Sequence, residues 1–352
     1  MRKIVLFFVA FVALQSKAQV INESNLIGEW VEVRSEMRDG SPVNIPYKSK
    51  DYKLSFSFLN KNSVVIKPLS IYHEKVKDVF YSIRDFPMLA TPNMTYQIEE
   101  LTGKTLVLTE VSSEIEANKL KRYFLTRKEV IHQRKKEENR DSVLVAEKYF
   151  TPTMKKYTDK MSLLKKTSKT PYRTKGLYVI DLENEESFVL FDSINLQKKK
   201  NVEKETALLT EIFNVPFEDW DLDEFEDYSK IEIPFVLDNR ESDKRFEIEL
   251  VHFTEDTSIF DNNYYEPSFK EKGQAYTLYQ NGIDAFNKNR YSEALQFFTD
   301  SFKIDAENLD ALYNKAVVYF HTQDFANACL IWKELKDLGQ IRAEKLIEKH
   351  CK

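Results

Sequence analysis

In 352 residues the chain carries 52 Lys and Arg against 57 Asp and Glu, a net charge of −5, with 42% apolar and 13% aromatic residues. An acidic balance argues against nucleic acid as a partner, and seven glycines, none between Gly176 and Gly273, leave little for the glycine-rich loops that cradle phosphates. The length exceeds what one hydrophobic core organises, so two or three domains are expected.

The chain opens on Met1, Arg2 and Lys3, then an apolar run over 4–14 and the polar stretch Gln15-Ser16-Lys17-Ala18. A basic start, a run too short to span a bilayer and small residues at the cleavage positions predict a signal peptide over 1–18. The expected product is periplasmic or secreted, soluble and not membrane-spanning. No cysteine follows the apolar run to anchor a lipid. The two cysteines, Cys329 and Cys351, fall in the last helices, and in an oxidising compartment such a pair is expected to bridge.

From residue 26 to 127, short runs of β-branched and aromatic residues are broken by turn residues. They predict strands over 27–33, 52–59, 63–67, 77–83, 95–99, 105–110 and 119–126. In the second, Leu54, Phe56 and Phe58 alternate with Lys53, Ser55 and Ser57, the period of a half-buried strand. Seven such runs with no convincing helix between them imply a closed antiparallel barrel or a sandwich over 19–130. Gly28-Glu29-Trp30 at the head of the first strand, the later Tyr96-Gln97-Ile98, and the runs 104–108 and 122–127 resemble the bacterial lipocalin-like branch of the calycin barrels. That resemblance implies an all-β barrel whose closed end is built by Gly28 and Trp30 under a basic residue of the last strand, Arg127 or else Arg122. It also implies an alternative function, a carrier of a small apolar ligand. Phe56, Phe58, Tyr96, Tyr123 and Phe124 are together enough to fill a barrel of this size.

Residues 131–175 are strongly charged, led by Gln133-Arg134-Lys135-Lys136-Glu137-Glu138, and read as a helical linker interrupted at Pro152. A small α+β domain is expected over 176–268. Strands at 176–182 and 187–191 flank Glu183-Asn184-Glu185-Glu186, and 202–213 sets Ala207, Leu208, Ile212 and Phe213 at helical spacing. Ile231, Ile233, Phe235 and Leu237 then alternate, as does 246–253.

Over 269–352 the sequence repeats at thirty-four residues: Leu278 with Leu312, Gly282 with Ala316, Tyr291 with Phe325, Ala294 with Ala328, Phe298 with Trp332. The spacing and the small residues resemble the tetratricopeptide repeat (TPR) family. Leu278 and Leu312 stand where the family has tryptophan and Ala306 where it has proline, and 340–350 reads as a capping helix after Gly339. The resemblance implies all-α hairpins whose first helices line a groove. Leu278, Gly282, Leu312 and Ala316 would pack, while Tyr279, Asn281, Phe286, Tyr313, Asn314 and Val317 would face a bound peptide or protein. Two repeats are fewer than the three usually needed, so the array is expected to lean on the middle domain.

His73, His132, His252, His321 and His350 fall on different elements, with no paired spacing for a metal. Asp219, Asp221 and Asp223 match the first ligand positions of a calcium loop, but Glu224 stands in the glycine position and Lys230 in that of the closing glutamate. A solvated acidic face with Trp220, Leu222 and Phe225 turned inward is expected instead. With no nucleophile elbow, the chain is expected to be non-enzymatic, without cofactor or metal. The expected role is an exported TPR-containing adaptor for a protein or peptide in the cell envelope.

Overall fold

The computed structural model describes residues 23–43, 53–72, 78–84, 87–138, 142–156, 159–167, 171–192, 195–196, 202–242, 245–261 and 267–351. The signal-peptide expectation for 1–18 and His73 lie outside these residues. The N-terminal unit comprises β1 (Gly28–Met37), β2 (Leu54–Asn60), β3 (Ser63–Pro68), β4 (Val79–Phe80), β5 (Ser82–Arg84), β6 (Met88–Ala90), β7 (Thr95–Leu101), β8 (Thr105–Val111) and β9 (Lys121–Arg127). They form a 9-stranded antiparallel sheet in the order β4-β3-β2-β1-β9-β8-β7-β6-β5. Its two edges, β4 and β5, are consecutive in the chain, so the sheet curls into a nearly closed barrel. The run expected as one strand over 77–83 is two, divided at Tyr81. The Tyr81 ring is buried edge-on to Phe58, centroids 5.3 Å apart, and its hydroxyl donates to the Asn60 carbonyl at 2.8 Å.

Alternation along the strands selects the interior. Trp30, Phe56, Phe58, Tyr96, Leu106, Leu108, Tyr123 and Leu125 are buried in one cluster. Phe124, one residue out of phase with Tyr123 and Leu125, instead sits beneath Arg34, whose guanidinium carbon is 3.7 Å from the ring centre. At one end of the barrel the fully buried Trp30 donates its indole N–H to the Leu26 carbonyl at 2.8 Å. The Arg127 guanidinium lies 4.5 Å from the Trp30 ring centre, and donates to the carbonyl of Ile27 at 2.9 Å and to that of Asn25. Gly28 has φ +129°, and a Cβ there would collide with Arg127 Nη1, so this stack requires glycine at that position. Arg122 is engaged elsewhere, with Glu36 at 3.2 Å and Glu99 at 3.0 Å.

The middle unit contains α1 (Lys128–Glu138), β10 (Val143–Val145), β11 (Thr153–Met154), α2 (Lys160–Thr167), β12 (Tyr172–Asp181), β13 (Glu186–Phe191), β14 (Asn195–Leu196), α3 (Val202–Phe213), β15 (Trp220–Asp221), β16 (Lys230–Ser242) and β17 (Arg245–His252). Its 6-stranded sheet runs β10-β16-β12-β13, with β17 beside β16 and β14 beside β12. Leu164 of α2 and Leu209 and Phe213 of α3 pack with Tyr178, Ile180, Ile231, Ile233 and Phe235 of the sheet in one core. The stretch expected as a charged linker belongs to that core. Leu144, Ala146, Phe150, Met154 and Leu164 are each 2% exposed or less, and β10 pairs parallel to β16.

Part of the charge of the linker stretch is matched by the acidic stretch 218–227. Lys128, His132 and Lys136, one helical turn apart on α1, reach Glu224 and Asp227. The hydrogen bond from His132 holds the Glu224 carboxyl below the usual carboxylate range. Of the acidic stretch, Glu224 and Asp227 are thus paired along α1 and Asp219 with Lys156 at 2.6 Å, while Trp220, Leu222 and Phe225 pack into the core. The helix ends at Glu138, and Pro152 stands just before β11.

The C-terminal unit is helical: α4 (Phe269–Asn287), α5 (Tyr291–Ile304), α6 (Leu309–His321), α7 (Phe325–Asp337) and α8 (Ile341–His350). Ser268 and Glu271 close a capping box on α4, satisfying backbone donors at its start. Two hairpins, α4–α5 and α6–α7, and the terminal α8 fit TPR-like repeats. Gly282 lets α5 approach, since a Cβ there would lie 2.6 Å from the Phe298 ring. In the second hairpin Ala316 packs with Ala328 and Trp332. Cys329 of α7 and Cys351 beyond α8 are bridged, their Cα atoms 5.8 Å apart. Reduction is expected to cost about 3 kcal/mol on the chain-entropy account, read as a lower denaturant midpoint. Thiol titration of the unreduced folded protein is expected to find no free thiol, and two would show that α8 is not clipped.

Candidate functional site

On α6, residues 310, 313, 314 and 317 follow the i, i+3, i+4, i+7 spacing of one helix face. Leu312 and Ala316, between them, are buried toward α7. Asp310, Tyr313, Asn314 and Val317 line a cavity of about 380 Å³ with Tyr279 of α4 and Arg342, Leu346 and His350 of α8. Phe320 and Trp332 back it, and the barrel supplies a further wall through Glu116 and Lys119. A second hollow of about 330 Å³ continues the groove past Tyr279 and Asp310 toward Lys272, Tyr276 and Glu307.

The polar groups of the cavity are placed by short bonds. The Asn314 amide donates to the Tyr279 hydroxyl at 3.2 Å and to the Asp310 carbonyl at 2.9 Å, linking the two repeats. Burial pushes the Tyr313 phenol up to about 12, so it stays neutral at physiological pH, and the Arg342 guanidinium carbon lies 5.3 Å from its ring centre. Among the described residues the Trp332 indole N–H, shielded from solvent, meets no acceptor.

Of the six residues expected to face the groove, Tyr279, Tyr313, Asn314 and Val317 lie in this lining. Asn281 is exposed on α4 outside it, because residues two apart on a helix point to different faces. Phe286 packs at the far end of α4 against Tyr291 and His321, with ring centroids at 5.9 and 5.4 Å. Arg342 and Leu346, one turn apart on α8, could have been nominated by extending the same face to the capping helix. Glu116 and Lys119 carry no such signal, since Glu116 lies 226 residues from its partner Arg342.

Where the repeat count predicts cover from the middle domain, the barrel supplies it at this face. The Ile341 N–H donates to Ser41 Oγ at 3.1 Å. Gly339, at φ +80°, lies over Pro42, where a Cβ would come within 2.6 Å of the proline ring. Arg342 Nη1 donates to Glu116 Oε2 at 3.1 Å, and Lys119 Nζ lies 2.6 Å from Asp310 Oδ2.

The described histidines are placed apart. His132 meets Glu224, His321 lies 3.1 Å from the Tyr291 hydroxyl, and His350 packs on Phe320 with centroids at 4.7 Å. Burial pushes the His252 imidazole down to about 4. Among the described residues no group of three or more His, Cys, Asp or Glu is arranged to hold a metal. Nor, among them, is any helix long and apolar enough to cross a membrane.

No family model matches the chain. Among curated proteins it is similar to the photosystem I assembly protein Ycf3 of two strains of Prochlorococcus marinus. Each is 38% identical over 74 residues, which is 20% of this chain and 41% of the relative. The chain therefore spans less than half the length of the curated relatives it matches.

Proposed function

We propose that this chain is an exported, non-catalytic scaffold whose helical array holds an extended segment of a protein partner in the cell envelope. The observation that carries the reading is the cavity of about 380 Å³ shared by α4, α6 and α8. That volume is at the small end of ligand sites and suits one or two peptide side chains. Asn314 can bond a peptide backbone without demanding a sequence, and Tyr279 and Tyr313 offer rigid apolar area with polar tips. Similarity to an assembly protein supports a protein partner. Export is supported by the basic and apolar start of the sequence and by the bridged cysteines. The buried aromatic filling of the barrel favours its use as a platform over the carrier of a small apolar ligand.

Val317, 46% exposed in the cavity wall, is the residue to test. A random linear-peptide library selected on the immobilised full-length protein is expected to yield enriched sequences. Val317→Glu is expected to abolish that enrichment while moving the melting temperature by no more than about 1 °C, because exposed substitutions of this kind fall within about 0.5 kcal/mol. No enrichment on the unmutated protein, or unchanged enrichment on the variant, would overturn the reading.

A further inference from the structure

One wall of the groove is a piece of the barrel of this chain. Between β8 and β9, the loop 112–120 meets α8 through Glu116 and α6 through Lys119. The backbone is extended at Glu116 (φ −63°, ψ 149°) and Leu120 (φ −97°, ψ 140°), on either side of one 3-10 turn, Ala117–Lys119. Glu116 meets Arg342 at 3.1 Å, and Lys119, three residues on, meets Asp310 at 2.6 Å. Glu116 and Lys119 are themselves cavity walls, beside Tyr279 and Tyr313. A short segment in this position, at the edge of the groove, makes one acidic and one basic contact of the kind a bound peptide would make.

The strength of these contacts decides what the turn can do. The Arg342 and Glu116 side chains are 50% and 56% exposed, and those of Lys119 and Asp310 44% and 30%. Exposed ion pairs of this kind shift an equilibrium by roughly fivefold at most. The anchor between barrel and array lies elsewhere, at the fully buried Ser41, the nearly buried Gln340 and the Pro42–Gly339 contact. The Glu116 and Lys119 side chains can therefore be released without the barrel leaving the array, while the turn stays held at Leu120, which is buried and whose carbonyl accepts from the Arg38 N–H at 2.7 Å.

We infer that the Glu116–Lys119 turn is a tethered occupant of the groove, and that the partner which displaces it carries an acidic residue followed three residues later by a basic one. The acidic residue takes Arg342 and the basic residue takes Asp310. Tethering sets the local concentration of the turn near the millimolar range, so even a weak intramolecular ligand competes measurably with a partner. This inference rests on the reading that the groove binds an extended peptide.

The test uses full-length protein and a fluorescent peptide with this chain's own residues 113–121, followed by anisotropy. Glu116→Arg with Lys119→Glu places like charges opposite Arg342 and Asp310 and is expected to bind the peptide about tenfold more tightly than the unmutated chain. In the Glu116→Ala, Lys119→Ala background, Asp310→Lys with Arg342→Glu is expected to abolish peptide binding, and a peptide with the two charges exchanged is expected to restore it. Equal affinity in the unmutated chain and the turn variant overturns the tethered occupant and leaves the groove reading standing. Binding by neither also overturns it, and the library selection on Val317→Glu then judges the groove by itself. If the charge-exchanged turn fails to fold, Glu116→Ala with Lys119→Ala replaces it, with a severalfold gain expected and no gain fatal to the inference.

Discussion

Trp30→Ala is expected to destabilise the barrel by about 3–5 kcal/mol, the range for deleting a large buried aromatic. The ring is fully buried, so the substitution removes its transfer free energy and leaves a cavity that the strands fill only in part. It also removes the donor to the Leu26 carbonyl and the face on which the Arg127 guanidinium rests. Arg127 bridges the carbonyls of Asn25 and Ile27, so its displacement loosens the entry to β1 as well. Arg127→Lys keeps the charge but loses the planar fork, and a smaller effect of about 1–2 kcal/mol is expected. Hydrogen exchange of the β1 and β9 amides in the full-length protein reads the barrel separately from the other units. A loss below about 1 kcal/mol there for Trp30→Ala would mean that the stack does not hold the barrel end.

The second large effect is expected in the middle unit, where Phe235→Ala should also cost about 3–5 kcal/mol. Phe235 is the hub of an aromatic cluster. It stacks on Phe213 at 5.6 Å with planes 14° apart, and meets Tyr178 at 5.0 Å and Phe191 at 5.7 Å. The ring lies across Gly176, so close that a Cβ at that position would collide with it. Gly176→Ala alone is therefore expected to cost about 1–3 kcal/mol by overpacking. In Gly176→Ala combined with Phe235→Leu the smaller, branched side chain relieves the collision, so the pair should cost less than the sum of its single changes. Strict additivity in urea unfolding of the α+β unit would show that the two positions do not compete for one space.

Much of the fold was legible because burial on one face leaves a local period. Leu54, Phe56 and Phe58 announced β2 by alternation. The thirty-four-residue spacing from Leu278 to Leu312 and from Gly282 to Ala316 announced the helical hairpins. The multidomain layout of barrel, α+β unit and helical repeats follows from such patterns. Among the groove residues the same logic named Tyr279 of α4 and Tyr313, Asn314 and Val317 of α6, which line one cavity. It misjudged Asn281, which sits on another face of α4, and Phe286, which packs against the next repeat.

What the sequence by itself determined was therefore the inward face of the regularly periodic elements, such as β2 and the repeat helices, since that is set by residues a few positions apart. Which element lies against which was decided only in three dimensions. The charged stretch around α1 hid Leu144, Phe150 and Leu164, core residues too widely spaced to show a period. Glu116 and Lys119 look like any solvated loop charges until the barrel docks on α8 through Ser41 and Pro42 and sets them opposite Arg342 and Asp310. An exposed charge accepts whatever opposite charge the fold brings near, and so its partner leaves no trace in the residues around it.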